Sequence, residues 1–318
     1  MSIYEGMEIA VPGSIANLGP GLDTLAVAVQ LYLRVRVRRI FSERKGGLSF
    51  DFGRLPLKGE NLIERAFRHL AGAGAEFPSL DLAVESDIPM GAGLGSSGAA
   101  VVAGFQLYQA LFGMCELPVL LHAARELEGH CENAAASMLG GLVACCERSD
   151  DSVSAVSVGW PAELSFLVFT PGVQLLTHES RKLLPASVTR EDAVSNIQRV
   201  AFLLSSLQAG DLSALHGVFD DRLHQPYRSC AVPGLDAALR VRHPDLLGVF
   251  LSGAGPSIVG LTNSDKPEVV QRMIDAFSGS GVSFQIRKLR SHSPGCVAGW
   301  AWNSDATAPA RASVLPCS

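Results

Sequence analysis

The sequence predicts an α+β protein of two domains, and three observations carry that reading. An alternating strand pattern over Leu80–Val84 runs into the stretch Pro89-Met90-Gly91-Ala92-Gly93-Leu94-Gly95-Ser96-Ser97-Gly98, and an apolar helical pattern follows from Ala99 to Leu111. The second half orders its elements β-α-β-β-α-β, as a ferredoxin-like split unit does, with an extra helical insertion in the first crossover. The length of 318 residues is enough for two ordinary domains. A composition break at Gly159-Trp160-Pro161-Ala162 marks the expected boundary, dividing the chain into 1–160, 161–290 and an irregular tail, 291–318.

Taken in order, Met7–Val11 reads as a strand ending at Pro12, and Gly13–Gly21 as an irregular loop rich in Gly, Ser and Asn. Leu33, Val35 and Val37 alternate with Arg34, Arg36 and Arg38, the period of a half-buried strand, so the arginines read as its solvated face. Asn61 caps a helix that runs to about Ala71. Beyond the glycine stretch and its helix, helical spacing resumes over Leu117–Glu128. A short apolar helix over Glu132–Leu139 stops at Gly140-Gly141, and strands follow at Leu142–Glu147 and Ser152–Val158. The second half reads as a strand (Leu164–Phe169), a long helix (Glu191–Gln208) and more helix to about Arg242. Strands at Leu247–Leu251 and Ser257–Leu261, a helix (Pro267–Phe277) and a last strand (Ser283–Leu289) complete it. Beyond Ser291 periodicity fades, with one tacked-down segment expected around Trp300–Trp302.

Composition narrows the function. Apolar residues make up 47% of the chain, as in a globular protein. A net charge of −5 gives no reason to expect nucleic acid. The seven cysteines are odd in number and form no C-x-x-C, so neither zinc nor a disulfide framework is indicated. Reduced thiols in a cytoplasmic protein are the simplest account. No charged-then-apolar leader opens the sequence, and no apolar run is long enough to span a bilayer, so no membrane partner is expected.

The glycine stretch has a chemistry of its own. Glycines leave no side chain to block a ligand, and the following helix presents its positive end, which suits a phosphate. Ser96 or Ser97 can cap that helix. The stretch is not a Walker A loop, since no Lys follows it, and Ser96 stands where the last Gly of G-x-G-x-x-G would be. A glycine-rich turn before a core helix is the plain alternative. Two more glycine-bearing stretches stand beside it: Pro12-Gly13-Ser14-Ile15-Ala16-Asn17-Leu18-Gly19-Pro20-Gly21-Leu22-Asp23, and Ser252-Gly253-Ala254-Gly255-Pro256-Ser257. The second of these is more than a hairpin needs and suggests backbone packed against a phosphate loop.

Together the three stretches resemble the three motifs of the GHMP small-molecule kinases. Within that superfamily the resemblance is to the homoserine kinases. Glu128-Gly129-His130-Cys131-Glu132-Asn133 is similar to their E-G-H-P-D-N, Thr177–Pro185 to T-x-x-A-R-x-x-L-P, and Gln225-Pro226-Tyr227-Arg228 to E-P-Y-R. The matches run in order from about residue 8 to about residue 262. The resemblance implies an S5-like N-terminal domain that binds ATP and a ferredoxin-like C-terminal domain. It implies ATP- and Mg2+-dependent phosphorylation of the side-chain hydroxyl of L-homoserine to O-phospho-L-homoserine, on the route to threonine. A related kinase acting on another small amino alcohol is the alternative, and a silent nucleotide or amino-acid sensor is a third reading. Whether the chain forms a homodimer stays open.

Residue by residue, the resemblance puts ATP on Pro89, Gly91, Gly93, Leu94, Gly95, Ser96, Ser97 and Gly98, and magnesium on Ser97 and Glu126. It puts the acceptor among Asn17, Asp23, His130, Thr177, Arg181, Arg228 and Gly253, with Asn133, His130 and Glu132 as the catalytic group. The chemistry is apt. Asp23 suits an ammonium, Arg181 and Arg228 are forks for a carboxylate, and loose phosphoryl transfer depends on positioning more than on a strong base. Plainer roles stand beside these: a helix cap for Ser97, an exposed ion pair for Glu126, a structural histidine for His130, a turn for Asp23 and surface positions for the arginines. The chain departs from the pattern with Leu22 for Phe, Cys131 for Pro, Glu132 for Asp, Ser180 for Ala and Gln225 for Glu. These departures bear on which alcohol is accepted.

Overall fold

The structure is a computed structural model that describes residues 5–55, 59–173, 175, 177–277 and 279–292. The tail beyond 292, including the segment around Trp300–Trp302, lies outside the described residues.

The first half builds one six-stranded sheet. Its strands are β1 (Glu8–Ala16), β2 (Leu25–Lys45), β3 (Leu48–Asp51), β4 (Pro78–Ser86), β5 (Leu142–Glu147) and β6 (Val153–Val158), in the order β3-β4-β2-β5-β6 with β1 paired to β2. The long β2 is shared, pairing Leu33–Lys45 with β4 and Leu25–Val27 with β5. Its alternation behaves as the sequence predicts. Leu33, Val35 and Val37 are buried, while Arg34, Arg36 and Arg38 pair outward with Asp87, Glu8 and Asp51 at 2.7, 2.6 and 2.7 Å. Such exposed pairs are each worth no more than about 1 kcal/mol.

Against this sheet pack helices α1 (Leu62–Ala71), α2 (Ser96–Phe112), α3 (Leu117–Glu128) and α4 (Glu132–Leu139). Asn61 caps α1 as expected, its side chain accepting from the N–H groups of Ile63 and Glu64. α2 is apolar around most of its circumference, so it becomes the central helix, touching α1, α3, α4, β1 and β2.

The second half forms a four-stranded antiparallel sheet from β7 (Ser165–Pro171), β8 (Leu246–Leu251), β9 (Ile258–Thr262) and β10 (Phe284–Arg290), ordered β10-β7-β9-β8. With α9 (Pro267–Phe277) as its second crossover this is the predicted split unit. The first crossover holds α5 (Thr177–Lys182), the long α6 (Arg190–Ala209), a 3₁₀ turn at Leu212–Leu215, α7 (Gln225–Arg228) and α8 (Leu235–Leu239). The helix expected to run on to about Arg242 is thus broken into short pieces around Gly210, Gly217 and Gly234, all at positive φ. One apolar core runs from the first sheet across to Leu164, Phe166, Leu203, Phe219 and Leu289, and a smaller one fills the space under α8 and α9.

One local expectation fails in an informative way. Residues 13–16 are not loop: β1 continues to Ala16 through a register shift between Pro12 and Gly13. The small residues there let the strand pass close to the glycine stretch, where the N–H of Ser14 donates to the Leu94 carbonyl at 3.1 Å.

Candidate active site

A cleft of about 290 Å3 opens at the start of α2 and is lined by all three glycine-bearing stretches. At its centre the chain turns on Gly91, Gly93 and Gly95, whose φ values are +65°, +73° and +73°. Neither Gly93 nor Gly95 has room for a side chain. A Cβ on Gly93 would lie 2.4 Å from the Ser252 carbonyl oxygen, and one on Gly95 would lie 2.1 Å from Ser14 Oγ. The third stretch is pinned onto the second, with Ser252 Oγ donating to Gly93 O at 2.6 Å and the Ser257 N–H to Ala92 O at 3.2 Å. Gly95, in the left-handed region, is the N-cap of α2, and no side chain caps the helix. The expectation that Ser96 or Ser97 caps it is therefore corrected: both lie within the first turn. The start of the helix, Gly95–Ser97, lines the cleft.

Leu33, Phe52, Leu55, Leu62, Ile63, Val84 and Met90 form an apolar end of the cleft, with Asn61 and Ser86 among them. The sequence reading did not single out this end. Its residues come from β2, β4, α1 and the segment after β3, and only the sheet order brings them together.

Two glutamates close the C-terminal turn of α3, and their placement corrects the sequence reading. Glu126 does not face the cleft. It is exposed on α3, with His69 Nε2 at 3.0 Å and His122 Nε2 at 3.6 Å. Glu128 is the inward one: Ser97 is among the neighbours that act on its carboxyl, and its Oε2 is sealed from solvent without a hydrogen-bond partner. Residues two apart on a helix are separated by about 200°, so only one of this pair can face inward. That rule says that one of them turns inward without saying which, and Gly129 ends the helix directly after Glu128. Burial raises the Glu128 carboxyl above its ordinary range, against the pull of His130 and Ser97.

The residues expected to be catalytic assemble as a chain. Ser14 Oγ donates to Asn133 Oδ1 at 2.7 Å, Asn133 Nδ2 donates to Glu132 Oε1 at 2.7 Å, and His130 Nδ1 lies 3.1 Å from the same Oε1. Burial alone would lower the His130 pKa, but the Glu132 and Glu128 carboxylates override it, and the imidazole is pushed up to about 9. His130 is therefore a cation at neutral pH.

The end expected to take the acceptor draws its charged groups from both halves. Arg181 on α5 grips Asp23 with both terminal nitrogens, at 3.0 and 2.8 Å. Asn17 Nδ2 and Arg228 Nη1 both donate to the Gly253 carbonyl, at 3.1 and 3.0 Å. The Gly253 N–H goes to Ala16 O at 3.1 Å, so the polar groups of Gly253 tie loops together rather than face a substrate. Arg228 is buried, its Nε lacks a partner, and burial lowers its pKa to about 10 in spite of Asp23 nearby. The buried residues behind it, Asn196, Asp221 and His224, were not foreseen.

Of the predicted site residues, Asn17, Asp23, Gly91, Gly93, Leu94, Gly95, Ser96, Ser97, His130, Glu132, Asn133, Arg181, Arg228 and Gly253 line one cleft. Pro89 and Gly98 do not. Pro89 stands before the turn, and Gly98 faces α4, where a Cβ would meet Asn133 Cβ at 3.0 Å. Thr177 opens α5, and its side chain lies outside the described residues. Among the described residues no helix is long and apolar enough to cross a membrane.

Comparison with known proteins agrees with this geometry. The GHMP kinases N terminal domain profile matches residues 61–141, and the GHMP kinases C terminal profile matches residues 203–279. A homoserine kinase of Moorella thermoacetica is 37% identical over 91% of this chain and 98% of its own length. One from Solibacter usitatus is 38% identical over 79% of this chain and 83% of its own length. The crystal structure of homoserine kinase from Cytophaga hutchinsonii superposes with a TM-score of 0.77 at 28% identity, covering 92% of this chain and 97% of that one. The chain belongs to the GHMP kinase family, a family of phosphotransferases that act on a hydroxyl group, and its curated relatives there are homoserine kinases.

Proposed function

We propose that the chain phosphorylates the side-chain hydroxyl of L-homoserine with ATP and Mg2+, releasing ADP and O-phospho-L-homoserine. One observation carries the reading. A single cleft holds an uncapped helix mouth on a glycine turn at one side, and Asp23, Arg181 and Arg228 at the other. Triphosphate fits the first, and a zwitterionic amino acid fits the second.

In this reading the apolar end takes the nucleoside and the Gly91–Ser97 backbone cradles the phosphates. The donor set fits magnesium: the Ser97 hydroxyl lies beside a Glu128 carboxylate whose second oxygen is buried and unpartnered, and such an ion needs few protein oxygens beside phosphate. Ser97 and Glu128 would hold the ion, which neutralises phosphate charge when bound. The role given to Glu126 passes to Glu128.

Asp23 and Arg181 satisfy one another in the free protein. A homoserine zwitterion offers each a replacement, its ammonium for Asp23 and its carboxylate for Arg181 and Arg228. This exchange loses little, because the pair is about one-third exposed. Asn133, held by Ser14 and Glu132, stands where the hydroxyl must be oriented. Glu132 is already engaged by His130 and Asn133, so its part is positioning rather than proton removal. The protonated His130 adds positive charge beside the transferring phosphoryl group. Positioning and charge neutralisation suffice for a loose transition state.

The direct test is ADP release from the purified chain offered homoserine, threonine, serine and related amino alcohols. We expect homoserine to give the highest kcat/KM. Equal rates for all, or a clear preference for a different alcohol, would replace the acceptor while leaving the kinase.

A further inference from the structure

We propose that His224 is a positioning residue for the acceptor, holding the Arg228 guanidinium in register through one defined neutral tautomer. The inference rests on the reading that Arg228 binds the acceptor carboxylate.

His224 is wholly buried one turn before Arg228, so the two side chains meet on one face of α7. Its Nδ1 lies 3.0 Å from Arg228 Nη1, and its Nε2 lies 2.7 Å from the Gly19 carbonyl oxygen. A guanidinium can only donate and a carbonyl can only accept. Nδ1 must therefore be bare and Nε2 must carry the proton. The ring joins the arginine to the loop that carries Asn17 and Asp23. Arg228 is joined in turn to the third glycine stretch through Gly253 O at 3.0 Å. Three segments distant in sequence are thus referred to one imidazole.

A second proton on Nδ1 would oppose N–H to N–H and set a cation against a buried cation. The surroundings resist that proton. Burial lowers the His224 pKa and Arg228 adds to the effect, while Asp221, Asp23 and the Gly19 carbonyl pull the other way. Asp221 comes within 3.6 Å of Nε2, but its oxygens are taken by the N–H groups of Leu223, His224 and Gln225 and by Asn196 Nδ2. It holds the first N–H groups of the segment that enters α7 without needing a charged partner.

Two substitutions separate the ring's two bonds. His224→Asn keeps an acceptor at the Nδ1 position, and His224→Gln keeps a donor at the Nε2 position. Steady-state kinetics would be measured with homoserine and with 3-aminopropan-1-ol, which lacks only the carboxylate. Removing the acceptor from a charged donor is expected to raise the homoserine KM by roughly tenfold in His224→Gln. The aminopropanol KM, the ATP KM and kcat should stay within about threefold, so the preference for the carboxylate shrinks. His224→Asn should restore that preference. In the unmodified chain, acidification below the ordinary histidine range should raise the homoserine KM, because burial and Arg228 hold the His224 pKa down, and His224→Asn should abolish this limb.

Equal losses for both alcohols in His224→Gln, or an acid limb that persists in His224→Asn, would overturn the inference. If His224→Gln does not fold, the His224→Asn pH profile decides by itself. Arg228→Lys separates the two readings. If it leaves the homoserine-to-aminopropanol preference untouched, the carboxylate assignment fails. If it abolishes that preference while both His224 variants behave as the unmodified chain, only the role of His224 fails.

Discussion

The two ends of the cleft are built from different materials. The end we assign to phosphate is backbone: a turn at positive φ, an uncapped helix start and carbonyls pinned from β1 and the 252–257 loop. The end we assign to the acceptor is side chains: Asp23 with Arg181, Arg228 with His224, and the run Ser14–Asn133–Glu132–His130. A backbone site depends on what cannot be added to it, whereas a side-chain site depends on partners that cannot be removed one at a time. Homologous kinases can therefore share the first end and differ in the second.

The sharpest way to break the backbone end is Gly95→Ala. The new Cβ would enter the space of Ser14 Oγ, and φ of +73° is strained for alanine. We expect a stability loss of about 2 kcal/mol, read by chemical denaturation. Turnover should fall by about a thousandfold, because displacing Ser14 also releases Asn133. An active Gly95→Ala protein would show that the turn is not the phosphate cradle.

This contrast explains what could be read in advance. The glycine turn was legible because it is contiguous, and α1, α3, α4, β5 and α9 were legible because their periodicity is local. The Arg34–Arg36–Arg38 face was legible for the same reason. The strand character of residues 13–16 was hidden, because it depends on β2 and on the glycine turn lying beside it. The apolar end of the cleft and the Asn196–Asp221–His224 group were hidden because their members meet only in the folded chain. Glu128 was within reach, since it stands in the quoted Glu128–Asn133 stretch, but two nearby glutamates cannot be ranked without knowing which face of α3 turns inward.

That ranking gives the next prediction, made at the border between the two ends. Glu128→Gln should lower kcat by about a hundredfold and raise the magnesium concentration needed for half-maximal rate. Glu126→Gln should stay within about 0.5 kcal/mol in stability and near the unmodified rate, because it only loosens exposed histidine contacts. The reverse pattern in a magnesium titration would return the metal role to Glu126.

A smaller effect sharpens the acceptor end. His130 titrates near 9 in the folded chain against an ordinary 6.5, so its proton is bound more tightly in the native state. The associated stability is present in full below about pH 6.5 and is lost as pH rises through about 9, on the order of 3 kcal/mol in total. Activity should fall about tenfold between pH 8 and pH 10 as the imidazolium disappears. His130→Gln should be slower at neutral pH and flat across that range, in both rate and denaturation midpoint. An alkaline limb that survives the substitution would belong to a different group.

The smallest expected effect lies where the chain departs most from the motif it resembles. Glu132 is buried, engages His130 and Asn133 through one oxygen, and leaves the other without a partner. An aspartate on the same backbone stops one methylene short. Cys131, the N-cap of α4, has φ of −128°, far from the value near −65° that proline imposes. The longer acid and the non-proline cap therefore look like one adjustment: the backbone sits where proline could not hold it, and the extra methylene spans the difference. Glu132→Asp alone should lower kcat/KM for homoserine by about fivefold, and Cys131→Pro alone should cost stability by straining the cap. Joined, they should recover most of the homoserine rate, a coupling of about 1 kcal/mol between neighbours. The ratio of homoserine to threonine turnover measures whether the adjustment also selects the alcohol. Losses that simply add would separate the two residues and leave Glu132 as an ordinary buried acid holding Asn133.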